Sequence, residues 1–240
     1  MIGDRIVVDE VHVKAAEAIA GLLLPQIEES TDRFIISIAG ESGSGKSEIA
    51  TVLSSIFNSG EKRCVTLQQD DYFVYPPRTN AVLRRNDIRH VGISEVQLKA
   101  LDRNLDEIAA GKPQIKKPLV VFEEDMIIEE TINLDGANSI LVEGTYTTLL
   151  NNAHYRIFLE RTYIDTARIR RQRIREKQDE FLEKILHIEH KIISCHKHKA
   201  DIIVTNDYNV TLNSERKIEA ANSSSNEVAY HQCSHSQHNE

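Results

Sequence analysis

The chain has no tryptophan, and phenylalanine and tyrosine together supply only 5% of its 240 residues. So few rings leave no aromatic platform on which single-stranded nucleic acid would stack. Positive charge is also short: 29 lysines and arginines face 37 aspartates and glutamates, a formal net charge of −8. That balance disfavours a general nucleic-acid or anionic-membrane surface, and any basic site must be local. The three cysteines, Cys64, Cys195 and Cys233, are odd in number and far apart, the pattern of reduced thiols rather than of a disulfide frame. No apolar run approaches the roughly 18 residues of a membrane-spanning helix. Met1-Ile2-Gly3-Asp4-Arg5 carries no charged-then-apolar leader. These absences predict a soluble cytoplasmic protein with neither membrane nor nucleic acid as partner. Glycine is scarce too, ten residues in all, yet three of them fall between positions 40 and 45.

That cluster is Gly40-Glu41-Ser42-Gly43-Ser44-Gly45-Lys46-Ser47, which satisfies G-x-x-x-x-G-K-[ST] at every fixed position. It follows an apolar run over residues 34–39 and opens a helix-like segment over 48–57, the strand, turn and helix that the pattern requires. A loop that wraps a phosphate must point its N–H groups inward, and glycines permit the backbone angles and close approaches this demands. The next helix adds unpaired N–H groups and the positive end of its dipole. All eight residues are candidate nucleotide-binding residues, with Lys46 reaching the β- and γ-phosphates and the Ser47 hydroxyl offered to Mg²⁺.

Around this loop the pattern alternates between strand and helix. Residues 5–8 are predicted as a short edge strand and 11–27 as a packing helix closed by Pro25. A second parallel strand over 63–68 runs into Gln69-Asp70-Asp71-Tyr72 and a proline-marked loop over 75–80. Residues just past the carboxyl ends of parallel strands face the ligand crevice. Asp70 and Asp71 there can serve as base for a hydroxyl, as Mg²⁺-water ligands, or as a mere turn pair. Residues 84–90 read as a solvated basic connector, and 94–110 as a helix capped by Ser94. Residues 118–122 and 126–130 flank three acids in the manner of a hairpin.

The buried strand 139–144 ends in Glu143-Gly144, placing Glu143 on the same rim as a further Mg²⁺-water ligand. A strand over 154–159 leads to a helix rich in arginine. Arg168, Arg171 and Arg175 fall on one face at i, i+3 and i+7, where guanidinium groups meet phosphate oxygens or, alternatively, pair with nearby acids in solvent. A helix over 180–199 carries His187 and His190, three apart, with no carboxylate-bracketed zinc signature beside them. A last strand over 200–204 meets the polar turn Asn206-Asp207-Tyr208-Asn209, and beyond Leu212 the composition turns to Ser, Asn, Gln and His, the mark of a poorly ordered tail.

In the order of these motifs the chain resembles the uridine kinase and phosphoribulokinase branch of P-loop kinases. The resemblance spans about residues 34–207: the glycine loop, Gln69-Asp70, the helix ending at Gly111-Lys112, the strand at Pro118, Val142-Glu143-Gly144, the arginine-rich segment and Ala200-Asp201-Ile202-Ile203. It implies an α/β fold, a P-loop NTPase three-layer sandwich with a mostly parallel sheet, an inserted hairpin over the acceptor site and a helical arginine-rich lid. It implies one kinase domain over 1–210, with the lid at about 165–180, the acceptor-covering insert at about 75–132 and a polar tail over 211–240. Asp70 becomes the catalytic base, Lys46 and the lid arginines Arg168, Arg171 and Arg175 the charge neutralisers, and Ser47, Glu143 and Asp71 the metal site. ATP, Mg²⁺ and a small hydroxyl-bearing substrate are the expected partners, and a homo-oligomer is left open. A Tyr and a His that hold the pyrimidine nucleoside in uridine-cytidine kinases are replaced here, where Val120 and Asp125 stand nearest. A uridine kinase-like acceptor therefore competes with a sugar, polyol, hydroxy acid or pantothenate-like one. A hydrolytic NTPase or a nucleotide-binding regulatory protein would share the loop; the former needs a water-positioning residue and switch segments.

Overall fold

The computed structural model describes residues 6–59, 62–167, 170 and 179–214. β1 (Phe34–Gly40) is buried at every position, as a strand covered on both faces must be. Its alternating side chains feed two cores. Ile36 and Ile38 join Ile19, Leu23, Leu53 and Phe57 on one face, while Ile35 and Ala39 join Leu67, Leu101, Leu105 and Val142 on the other. The first face is covered by α1 (Glu10–Glu29) and α2 (Lys46–Phe57), and α4 (Leu98–Ala109) lies over the second. The result is a three-layer α/β sandwich.

β2 (Arg63–Gln68), β5 (Ala137–Glu143), β6 (Tyr155–Leu159), β7 (Ile202–Val204) and β8 (Val210–Leu212) complete a sheet ordered β2-β5-β1-β6-β7-β8. All neighbours pair in parallel except β7 and β8. Gln68 and Ile38 are both register partners of Glu143. The carboxyl ends of β1, β2 and β5 therefore open onto one rim, with the glycine loop, Asp70 and Glu143 side by side.

Several elements depart from the sequence reading. Pro25 does not close α1, which runs four residues further to Glu29; burial of Ile27 offsets the single amide bond a proline removes near a helix end. Residues 6–9 form no strand. The proline loop is instead the start of a helix, α3 (Pro77–Asn86), with Pro77 in its first turn, where its missing N–H is harmless. Ser94 lies in a short 3₁₀ turn, and α4 starts only at Leu98, because Val74 N–H and Gln97 N–H bind the Glu95 and Tyr72 carbonyls and hold 95–97 against the preceding chain. β8 was not expected; it is short and half exposed, with little apolar signal. β3 (Gln114–Val121) and β4 (Met126–Asn133) make the separate two-stranded hairpin, and α5 (Glu180–Ser194) follows the arginine-rich segment. Among the described residues no helix is long and apolar enough to cross a membrane.

Candidate active site

The loop between β1 and α2 is closed by one carbonyl, that of Glu41, which accepts from Lys46 Nζ at 2.8 Å and from Ser44 N–H at 3.2 Å. Beside it, Ser47 Oγ donates to Glu143 Oε1 at 3.2 Å, so a hydroxyl and a carboxylate converge on one point. Gly144 follows Glu143 because nothing larger fits: a Cβ there would lie 2.3 Å from the Gln69 Cβ. Gln69 in turn accepts from Tyr146 N–H at 2.6 Å, locking the two strand ends together.

The adjacent aspartates have opposite fates. Asp70 lines a cavity of about 220 Å³ shared with Gly43, Gly45, Lys46, Ser47 and Glu143, and no described residue hydrogen-bonds its carboxylate. Burial raises its pKa, while Lys46 pulls the other way. Asp71, expected at the metal, points elsewhere. Its carboxylate takes Lys117 Nζ at 2.7 Å and Val120 N–H at 3.1 Å, with both side chains of the ion pair at most 4% exposed. The reason is charge: Lys117 enters the core on β3 and must be paired there. Glu143 is pushed up to about 7, first by burial and then by the nearby charge of Asp70, against the opposing pull of Lys46 and the Ser47 hydrogen bond.

Residues 35–165 match the Phosphoribulokinase / Uridine kinase family, more than half of the chain. The chain belongs to this family. It is 27% identical over 80% of its length to a bifunctional alpha-galactosidase/sucrose kinase of Mediterraneibacter gnavus, 34% identical over 52% to a pantothenate kinase of Limosilactobacillus reuteri, and 28% identical over 71% to a uridine kinase of Staphylococcus epidermidis. It spans 22%, 41% and 86% of those proteins respectively. A D-glycerate 3-kinase structure from Cryptococcus neoformans superposes with a TM-score of 0.57 at 10% identity, covering 82% of this chain and 99% of that one, a likeness of fold alone.

In this member of the phosphoribulokinase / uridine kinase family, Arg168, Arg171 and Arg175 lie outside the described residues. Arg170, not singled out from the sequence, lies against the loop: its Cγ is 3.2 Å from where a Cβ on Gly43 would stand. Its guanidinium donates to Thr166 Oγ1 at 2.7 Å and to the Tyr163 carbonyl, and Thr166 Oγ1 donates to the Ser42 carbonyl at 3.0 Å. Glu41 faces the same segment; Tyr163 N–H and His190 Nδ1 each approach its carboxylate to 2.6 Å. His190 is thus engaged by the loop, and among the described residues no cluster of three or more His, Cys, Asp or Glu is placed to hold a metal.

The remaining cavity wall comes from segments read as a proline loop, a basic connector, a hairpin and a helix. Asn80 and Arg84 on α3, Phe122 at the hairpin tip, and Leu186 and Glu189 on α5 all line it. Arg84, expected in solvent, is 11% exposed, with Glu95 at 2.5 Å and Glu189 at 3.1 Å. Asn80 Nδ2 donates to the same Glu95 at 2.8 Å, and its Oδ1 meets His90 Nε2 at 2.9 Å. Asp87, three residues before His90, is exposed and held well down, to about 2, by Arg89. The signal for Arg84 was its i+4 spacing from Asn80 on an unrecognised helix.

Proposed function

We propose that this chain transfers the γ-phosphoryl group of ATP to a hydroxyl of a small molecule, with Asp70 as the base, from one kinase domain over residues 1–210. The observation that carries this is the carboxylate of Asp70, left without a hydrogen-bonding partner among the described residues, in the same cavity as Lys46 and the glycine loop. A buried acid with a raised pKa beside a phosphate site suits proton removal from an alcohol.

The residues divide the work. Loop N–H groups from Gly40 to Ser47 cradle the phosphates. Lys46, by exchanging the Glu41 carbonyl for a phosphate oxygen, neutralises charge on the transferred group. Ser47 Oγ and the Glu143 carboxylate are hard oxygen donors already in contact, which fits Mg²⁺, an ion bound through few protein oxygens. Bound there, Mg²⁺ would screen the phosphate charge and orient the β- and γ-oxygens. Asp71 is assigned to the hairpin rather than to the metal. Arg168, Arg171 and Arg175 are proposed to close over the nucleotide and exclude water. Phosphoryl transfer asks for positioning and charge more than covalent chemistry, and these parts supply both.

The acceptor we infer first is a pyrimidine nucleoside, since the S. epidermidis uridine kinase is matched along 86% of its length. Sucrose-type sugars and pantothenate, named for other relatives, are the alternatives. ADP release measured across uridine, cytidine, sugars, polyols and pantothenate decides. Stimulation by a pyrimidine nucleoside is expected; stimulation by another class alone replaces the acceptor, and phosphate release indifferent to every acceptor replaces the kinase reading with a hydrolase.

A further inference from the structure

The phosphate loop is also gripped from behind, at the Ser44 carbonyl. Tyr208, in the turn between β7 and β8, is buried, and its hydroxyl donates to the Ser44 carbonyl at 3.1 Å. The same oxygen accepts from Arg161 Nη1 at 2.8 Å and lies 3.0 Å from His12 Nε2 on α1. The histidine tautomer follows from its other nitrogen. Asp9 N–H donates to His12 Nδ1 at 3.0 Å, so Nδ1 is the acceptor and Nε2 carries the hydrogen. The tyrosine oxygen thus receives two hydrogen bonds and has one proton to give, which goes to Ser44. A guanidinium donating into that oxygen polarises its O–H and strengthens the bond it makes.

Two details show that the contact is enforced. Tyr208 has φ +61°, a left-handed conformation that persists for a bulky residue only where its surroundings dictate it. On the loop side, a Cβ on Gly45 would lie 2.7 Å from the Tyr208 hydroxyl and 3.2 Å from the His12 ring. The tyrosine reaches Ser44 because position 45 is glycine.

We infer that Tyr208, held by His12 and Arg161, is a positioning residue that fixes the Ser44–Gly45 peptide so that the Gly45 N–H points into the phosphate cradle. In a planar trans peptide the carbonyl and the N–H point in opposite directions, and no described peptide bond is cis. Tyr208 takes the carbonyl on the outer side, while Gly45 lines the cavity. A flipped peptide would present a carbonyl oxygen to the polyanion and turn its N–H toward donors. His12 and Tyr208 fall outside the matched family region of 35–165 and Arg161 inside it, so the brace ties both flanking segments to the matched region. The inference rests on the phosphate-binding reading of the loop.

Tyr208→Phe keeps the ring, and with it the His12 edge contact at 4.9 Å and the Arg161 contact at 5.0 Å, and removes only the hydroxyl. Calorimetric titration with a non-hydrolysable ATP analogue and Mg²⁺ should show affinity lower by roughly tenfold, the scale of one net hydrogen bond. Adenosine, which has no phosphate, should bind both proteins alike. Equal analogue affinity in wild type and variant overturns the inference, as does an equal loss for adenosine, which would mark a general structural defect. His12→Ala leaves the Ser44 bond but removes one donor to the tyrosine. It should give a smaller loss, and it decides the matter if Tyr208→Phe does not fold: unchanged analogue affinity then overturns the inference. A wild-type chain that binds no triphosphate overturns the phosphate-binding reading and this inference with it.

Discussion

Asp70 and Asp71 are chemically identical and adjacent, yet among the described residues only Asp71 is tied by hydrogen bonds, to Lys117 and Val120. Asp70→Asn should leave nucleotide binding nearly intact and lower turnover by about 10² or more, the scale of losing a positioned base; wild-type turnover in that variant would remove Asp70 from the role. Glu143 makes a pH prediction. Its carboxyl, at about 7 in the fold against an ordinary 4.5, holds a proton that the unfolded chain has already released. Its contribution to stability is therefore complete below about 4.5 and lost as pH rises through about 7. The melting temperature of the protein alone should fall between pH 5 and 8, and Glu143→Gln should flatten that slope; parallel curves for the two proteins would refute it. The sequence showed that Asp70, Asp71, Ser47 and Glu143 share a rim, because strand ends announce themselves by apolar runs. It did not separate Asp70 from Asp71, since the deciding partner, Lys117, is 46 residues away.

The hairpin shows what such distant pairing does to an element. Asp71 anchors β3 from within, and at the tip Asp125 accepts from Arg78 N–H at 2.7 Å and from Thr79 N–H at 3.2 Å, capping α3 from another part of the chain. Lys117→Met should destabilise the fold by about 3–5 kcal/mol in urea denaturation, because it strands a buried carboxylate, and adding Asp71→Asn should recover part of the loss. If Asp71→Asn alone instead changes the Mg²⁺ dependence of turnover without touching stability, the metal assignment returns. This also explains why α3 was read as a loop. Its start is a proline pair that equally marks a turn, and the carboxylate that caps it is 46 to 47 residues off. Strands β1, β2 and β5 were legible because their burial on both faces is written in continuous apolar runs.

Across the whole molecule, the sheet separates two cores, and the glycine loop sits where α1, α2 and the sheet meet. Ile19→Ala, in the α1 layer and fully buried, should cost about 2–5 kcal/mol by opening a cavity; a change within error would show that α1 is dispensable packing. Motif order identified the architecture, because each motif is local. The cavity wall was legible only as a region, the insert expected over 75–132, and not residue by residue, because Phe73, Asn80, Arg84, Phe122 and Glu189 come from stretches that meet only in the fold. Glu41 ties the glycine loop to two later parts of the chain. Tyr163, just before the arginine-rich stretch, and His190, well into α5, are both fastened to its one carboxylate. One side chain of the glycine loop therefore holds the chain at Tyr163 and α5 at His190, so a change at Glu41 is felt in both places at once.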